Sequence, residues 1–190
     1  MENVTGIILA GGKSSRMGSD KGLMIVNGKP MVEYIIEELQ SLDIPVIIVS
    51  NNPEYEKFGI PVFTDSIKNK GPMAGIYTGL LHSSTESNVV LSCDIPKVSA
   101  KLIKKLVNNA NQSDISILKH GNTLHPLIGI YKRSTLRGLK RKLDSDQLKM
   151  KLFCIDMGCS FLEINDDNNE FDPGIFFNVN TREQLEQLQK

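Results

Sequence analysis

The segment Leu9-Ala-Gly-Gly-Lys-Ser-Ser-Arg-Met-Gly-Ser-Asp-Lys21 follows a short apolar run and mixes glycines with cations, among them Arg16 and Lys21. Glycine lets the main chain approach an anion, and successive N–H groups in such a turn form a nest for phosphate oxygens. Arg16 would add a planar fork of donors and Lys21 a point charge. Together they suit a phosphorylated ligand; the plainer alternative is a glycine-rich turn with solvated cations. Spacing excludes two common phosphate motifs. A P-loop ending at Gly12-Lys13-Ser14 needs glycine at position 7, where Ile7 stands. The G-x-G-x-x-G pattern fails because Gly11 and Gly12 are adjacent.

Other candidates lie further along. Ser92-Cys-Asp-Ile-Pro96 ends an apolar run with a carboxylate, and Asp94 at a strand's carboxyl end suits Mg²⁺ binding through oxygen. A turn or cap aspartate is the ordinary alternative. Gly71-Pro-Met-Ala-Gly75 enters a helix with residues small enough for close approach of a base or sugar, though a plain helix-entry turn looks the same. Asp65 follows Val62-Phe-Thr, where Asp-Ser is also common turn chemistry. His125 stands alone, which favours a structural role. Asn178 and Asn180 are two residues apart, so on a strand they share one face. Cys93, Cys154 and Cys159 form neither a secreted disulfide framework nor a zinc pattern, and read as packed thiols.

The elements that must position these residues alternate. Val4–Ala10, Pro45–Ser50, Ile60–Thr64, Asn88–Cys93, Ile115–Leu118 and Pro126–Tyr131 have strand character. Between them lie helical patterns. Pro30 opens one with Met31, Val32, Ile35, Ile36, Leu39 and Leu42 on a single face. Met73–His82 is another. Ser99 caps a third, Ser134–Leu143 makes a fourth, and Thr181 with Gln184 forms the capping box of a last helix. Asn165–Glu170 reads as a surface loop. This alternation predicts an α/β fold, a doubly wound, mostly parallel sheet with helices on both faces. In such sheets ligands bind beyond the carboxyl ends of the strands, where strand order reverses.

A length of 190 residues suits one domain, expected over residues 1–190. Lys plus Arg and Asp plus Glu number 22 each, so no overall field favours nucleic acid or an anionic membrane. There is no basic, apolar leader pattern and no run of the ~20 apolar residues that crosses a bilayer. A cytoplasmic protein is expected.

The run L-A-G-G-K-S-S-R-M-G-S-D-K closely resembles the molybdenum cofactor guanylyltransferase (MobA-like) family of nucleotidyltransferases, whose first strand is followed by L-A-G-G-x-S-x-R-M-G-x-D-K. Resemblance continues at Gly71-Pro-Met-Ala-Gly75, at Cys93-Asp94-Ile-Pro96, at His125-Pro-Leu-Ile-Gly-Ile-Tyr131 and at Phe177-Asn-Val-Asn-Thr181. It implies a Rossmann-like nucleotidyltransferase that moves GMP from GTP to the terminal phosphate of molybdopterin, or its molybdenum form, with release of pyrophosphate. Leu9, Ala10, Gly11, Gly12, Lys21, Asp65, Gly71, Gly75 and Asp94 would hold the nucleotide. Arg16, Lys21 and Asp94 would serve catalysis, Asp94 would bind Mg²⁺, and Asn178 and Asn180 would meet the pterin phosphate. Molybdopterin-delivering proteins and recipient molybdoenzymes would be the partners. Some members place a nucleotide-binding asparagine after the second strand; here Ser50, Asn51 and Asn52 stand there, and no role is carried over. A sister enzyme using CTP shares the first loop and the aspartate. A non-catalytic nucleotide-binding regulator would leave Asp94 and the paired asparagines without a task. Sugar-phosphate nucleotidyltransferases usually carry G-x-G-x-R and a longer chain.

Overall fold

The computed structural model describes residues 3–11, 20–110, 113–164 and 171. Gly12, Arg16, Asn178 and Asn180, the loop expected at 165–170 and the last capping box lie outside the described residues.

β1 (Val4–Leu9) is buried at every position, which explains its unbroken apolar run. It pairs in parallel with β4 (Val46–Val49) on one side and with β6 (Ser87–Ser92) on the other. β5 (Val62–Phe63) extends the sheet beyond β4. Beyond β6 come β8 (Thr123–Lys132), then β7 (Ile115–His120), then β9 (Ser160–Ile164), giving the order β5-β4-β1-β6-β8-β7-β9. β8 alone among these seven runs antiparallel to its neighbours. The expected mostly parallel sheet is present. A separate two-stranded ribbon, β2 (Ile25–Val26) and β3 (Lys29–Pro30), turns at Asn27-Gly28. Both turn residues have positive φ, 47° and 82°, as a tight hairpin of this kind requires.

Helices cover both faces. α1 (Met31–Gln40) and α3 (Ala100–Asn109) pack with Val4, Ile8, Ile48, Val89 and Leu91 in one core. α2 (Gly71–His82), α4 (Leu136–Asp144) and α5 (Met150–Asp156) pack with Ile7, Leu9, Ile47, Val49 and Val90 in the other. Alternate residues of one strand therefore feed two cores, as a period of two dictates. Ser99 caps α3 through the Leu102 N–H, as its position predicts. Several boundaries shift: β8 begins at Thr123 rather than Pro126, and α4 at Leu136 rather than Ser134. Pro30 precedes α1 as its cap residue, and Leu42 lies beyond the helix end, although it is still buried. No apolar run or periodicity announced α5, β9 or the β2–β3 ribbon, whose strands are two residues each.

The chain moves from β1 outward through β4 to β5, then returns to β6 on the other side of β1. Strand order thus reverses between β1 and β6, and the crevice outside their carboxyl ends is where this architecture binds ligands.

Candidate functional site

A cavity of about 720 Å³ opens there. β1 contributes Leu9 and the following Ala10 and Gly11; β4 leads into Ser50, Asn51 and Asn52; Asp65 follows β5; Ser92 ends β6. Asn69, Gly71, Pro72 and Gly75 come from the entry to α2, with Asp20 and Leu127 completing the lining. Main-chain hydrogen bonds fix these strand ends: Ala10 N–H to Val49 O at 2.9 Å, Ser50 N–H to Phe63 O at 2.9 Å and Cys93 N–H to Leu9 O at 3.0 Å.

One wall is built from Asp65 and Asn51. The Asp65 N–H donates to Asn51 Oδ1 at 3.2 Å, and Asn51 Nδ2 reaches Asp65 Oδ2 at 3.5 Å. Asp65 Oδ1 is buried with no hydrogen-bond partner among the described residues. Burial pushes this carboxyl above its ordinary range, and the Asn51 hydrogen bond only partly opposes it. Gly75 keeps the space beside it open. A Cβ there would lie 3.1 Å from Leu9 Cδ2 and 3.7 Å from Asp65 Oδ1. The result is a half-buried carboxylate beside an apolar cradle, an arrangement suited to a flat ring or a sugar that carries an N–H or O–H donor. Gly71 adopts φ +62° at the start of α2, no side chain caps that helix, and its Gly71, Pro72 and Gly75 line the cavity.

Beside the cavity, next to the lining residues Asp20 and Ser92, lies a pair of opposite charges. Lys21 begins a three-residue 3₁₀ turn, Lys21–Leu23, and its Nζ stands 3.5 Å from Asp94 Oδ2. Ser92 Oγ donates to Asp94 Oδ1 at 2.6 Å, which fixes the carboxylate plane. Among the described residues no three His, Cys, Asp or Glu side chains cluster to hold a metal ion. An ion at Asp94 would take one protein carboxylate and complete its shell with phosphate oxygens and water. That donor set fits Mg²⁺. Cys93, between these groups, is buried, and its thiol is pushed up to about 12, first by burial and then by the charges of Asp94 and Asp20. It stays protonated near neutrality and offers no nucleophile.

Of the candidates taken from sequence, Leu9, Ala10, Gly11, Asp65, Gly71 and Gly75 meet at the cavity, with Lys21 and Asp94 paired at its edge. His125 is half-buried on β8 and pairs with Leu118 across the sheet; burial lowers its pKa, with smaller contributions from His120 and Lys151. Its chain neighbour Leu127, not His125 itself, lines the cavity. Asp20, given no separate role within its motif, and Asn51 and Asn52, noted after the second strand without a role, also line the cavity. The rule that strand ends face the ligand, applied to the end of β4, supports a place at the site for the two asparagines.

The MobA-like NTP transferase domain model matches residues 6–153. A relative from Flavobacterium johnsoniae, named a probable molybdenum cofactor guanylyltransferase, is 35% identical over 189 residues, which is 99% of this chain and 97% of the relative. The chain belongs to the MobA-like nucleotidyltransferase family. A second member, the molybdenum cofactor guanylyltransferase of Vibrio vulnificus, is 34% identical over 96% of this chain and 93% of its own. The fold is shared with the crystal structure of molybdopterin-guanine dinucleotide biosynthesis protein A from Archaeoglobus fulgidus. That comparison has a TM-score of 0.81 at 24% identity and covers 97% of this chain and 96% of the other. The crevice described above therefore belongs to a MobA-like nucleotidyltransferase domain.

Proposed function

We infer that this enzyme transfers GMP from GTP onto the terminal phosphate of molybdopterin, or of its molybdenum-bearing form, and releases pyrophosphate. The observation that carries the reading is the pairing of Lys21 with Asp94 beside a cavity at the switch point, in a chain whose full-length relatives are named molybdenum cofactor guanylyltransferases. The base and sugar would occupy the cradle of Leu9, Gly75 and Asp65, with the Asp65 carboxylate accepting a donor from the nucleoside. The Gly11 and Gly12 backbone, Arg16 and Lys21 would meet the triphosphate. Gly71 would border the same nucleotide. Asn178 and Asn180 would meet the pterin phosphate, a role that rests on the motif alone.

The pterin phosphate itself is the nucleophile, so an in-line attack on the α-phosphorus needs no covalent enzyme intermediate. The chain contributes alignment and positive charge where negative charge builds up. Asp94 would hold Mg²⁺, which when bound neutralises and orients phosphate oxygens. We take residues 1–190 as one catalytic domain working in the cytoplasm with molybdopterin-delivering proteins and recipient molybdoenzymes. Among the described residues no helix is long and apolar enough to cross a membrane.

Pyrophosphate release with each of the four nucleoside triphosphates, with and without molybdopterin, tests the reading. Release that needs both GTP and molybdopterin is expected. Preference for CTP would make the chain a cytidylyltransferase, and no release with any pair would leave a nucleotide-binding regulator.

A further inference from the structure

Lys21 sits on a turn of only three residues, Lys21–Leu23, closed by Leu23 N–H to Asp20 O at 3.2 Å and Met24 N–H to Lys21 O at 3.1 Å. So short a turn has little stability of its own. Its aim must come from tertiary contacts: Leu23 packs against the core beside α1, and side-chain hydrogen bonds from the segment after β4 converge on Asp20. Asp20 Oδ1 accepts the Gly22 N–H at 3.2 Å and the hydroxyl of Tyr55, while Oδ2 accepts Asn52 Nδ2 at 3.2 Å. Asn52 and Tyr55 both belong to the segment after β4. Asn52 caps its 3₁₀ helix, Pro53–Phe58, through the Glu54 N–H at 3.0 Å, and Tyr55 is fully buried in it. Burial raises the Tyr55 pKa far above its ordinary value, so the hydroxyl remains a donor.

The turn is also wedged from below. A Cβ on Gly22 would collide with the Tyr55 hydroxyl and lie 3.1 Å from Cys93 Cβ, the residue before Asp94. An ordinary capping aspartate accepts from its own turn alone. Here one carboxylate accepts three donors and ties the Lys21 turn to the segment after β4, against the end of β6.

We propose that Asp20 is a positioning residue: Tyr55 and Asn52 hold its carboxylate, and through it the turn that aims Lys21 at Asp94 and the triphosphate. This rests on the triphosphate role of Lys21 in the reading above, but not on the choice of base or acceptor.

The polarity of the Asp20–Asn52 bond supplies the test. In Asp20→Asn the new amide N–H₂ faces the Asn52 N–H₂, donor against donor. In Asn52→Asp two carboxylates face each other. Exchanging both restores one donor and one acceptor, and Asp at 52 keeps the oxygen that caps Glu54. Each protein is titrated with Mg²⁺–GTP and with Mg²⁺–tripolyphosphate, which carries no base, and its melting temperature is recorded. Each single variant is expected to bind both ligands at least tenfold more weakly, with the Asp20→Asn/Asn52→Asp pair recovering to within threefold of wild type. Wild-type affinity in the single variants overturns the proposal. So does a double variant as weak as the singles, or a loss that only follows melting temperature. If wild type binds tripolyphosphate but releases no pyrophosphate with any nucleotide and molybdopterin, the transferase reading fails while the positioning role is still decided by affinity. A wild type that binds neither ligand overturns both.

Discussion

Asp65 holds a buried oxygen without a hydrogen-bond partner among the described residues and a carboxyl pushed up by burial, while Asp20 and Asn51, also at the cavity, are bonded. A raised carboxyl pKa means the folded chain holds that proton more tightly than the unfolded chain. Its contribution to stability is therefore fully present below the ordinary value of 3.8 and is lost as pH rises through the folded-state value. Asp65→Asn has no such titration. We expect the melting temperature of Asp65→Asn, measured relative to wild type, to climb as pH is raised from about 4 to about 7. A difference that stays flat over that range would show that Asp65 ionises as freely folded as unfolded. An acceptor kept buried at a cost to stability is the signature expected of a group whose partner arrives with the ligand.

At the scale of elements, β8 is where the sheet departs from regularity. Ile117 pairs with Gly129 but the next residue, Leu118, pairs with His125, so Pro126, Leu127 and Ile128 form a bulge. Proline within a strand is confined to such places because it cannot donate to the ladder. Tyr131, fully buried, closes the bulge by donating its hydroxyl to Pro126 O at 2.7 Å, and Leu127 is turned to line the cavity. Gly129 lets the two strands meet, since a Cβ would stand 2.6 Å from Ser116 O and 3.0 Å from Ile117 Cα, both main chain. His125-Pro-Leu-Ile-Gly-Ile-Tyr131 thus shapes the wall of the site through its backbone as much as its side chains. Gly129→Ala should destabilise the fold by about 1–3 kcal/mol, because backbone cannot move aside as a side-chain tip can. Urea unfolding measures this, and an unchanged midpoint would mean the strands separate without cost.

At the scale of the whole fold, two helical layers clamp one sheet, and the candidate site lies at the cavity beyond the strand ends. A ligand that binds the folded chain alone stabilises all of it, by about 2.7 kcal/mol at a concentration 100 times its dissociation constant. Mg²⁺–GTP should therefore raise the melting temperature of wild type, and a chelator should remove the part that depends on Mg²⁺. Asp94→Asn should lose that same part while keeping the fold. Equal Mg²⁺ dependence in the variant would take the ion away from Asp94.

Much of this molecule was legible in its sequence. Apolar runs, Ser99 before a helical pattern and a glycine after the first strand are local signals, written within a few residues, and they were enough for the doubly wound sheet and for placing Asp94 and Gly11 beyond strand ends. The structure alone decided that β8 runs antiparallel, that Asn51 braces Asp65, and that Asp20 answers to Asn52 and Tyr55, 32 and 35 residues away. Periodicity reports which face of an element is apolar, because that preference acts on each residue separately. Which donor meets which acceptor depends on how distant segments are stacked, and only the folded chain brings them within reach.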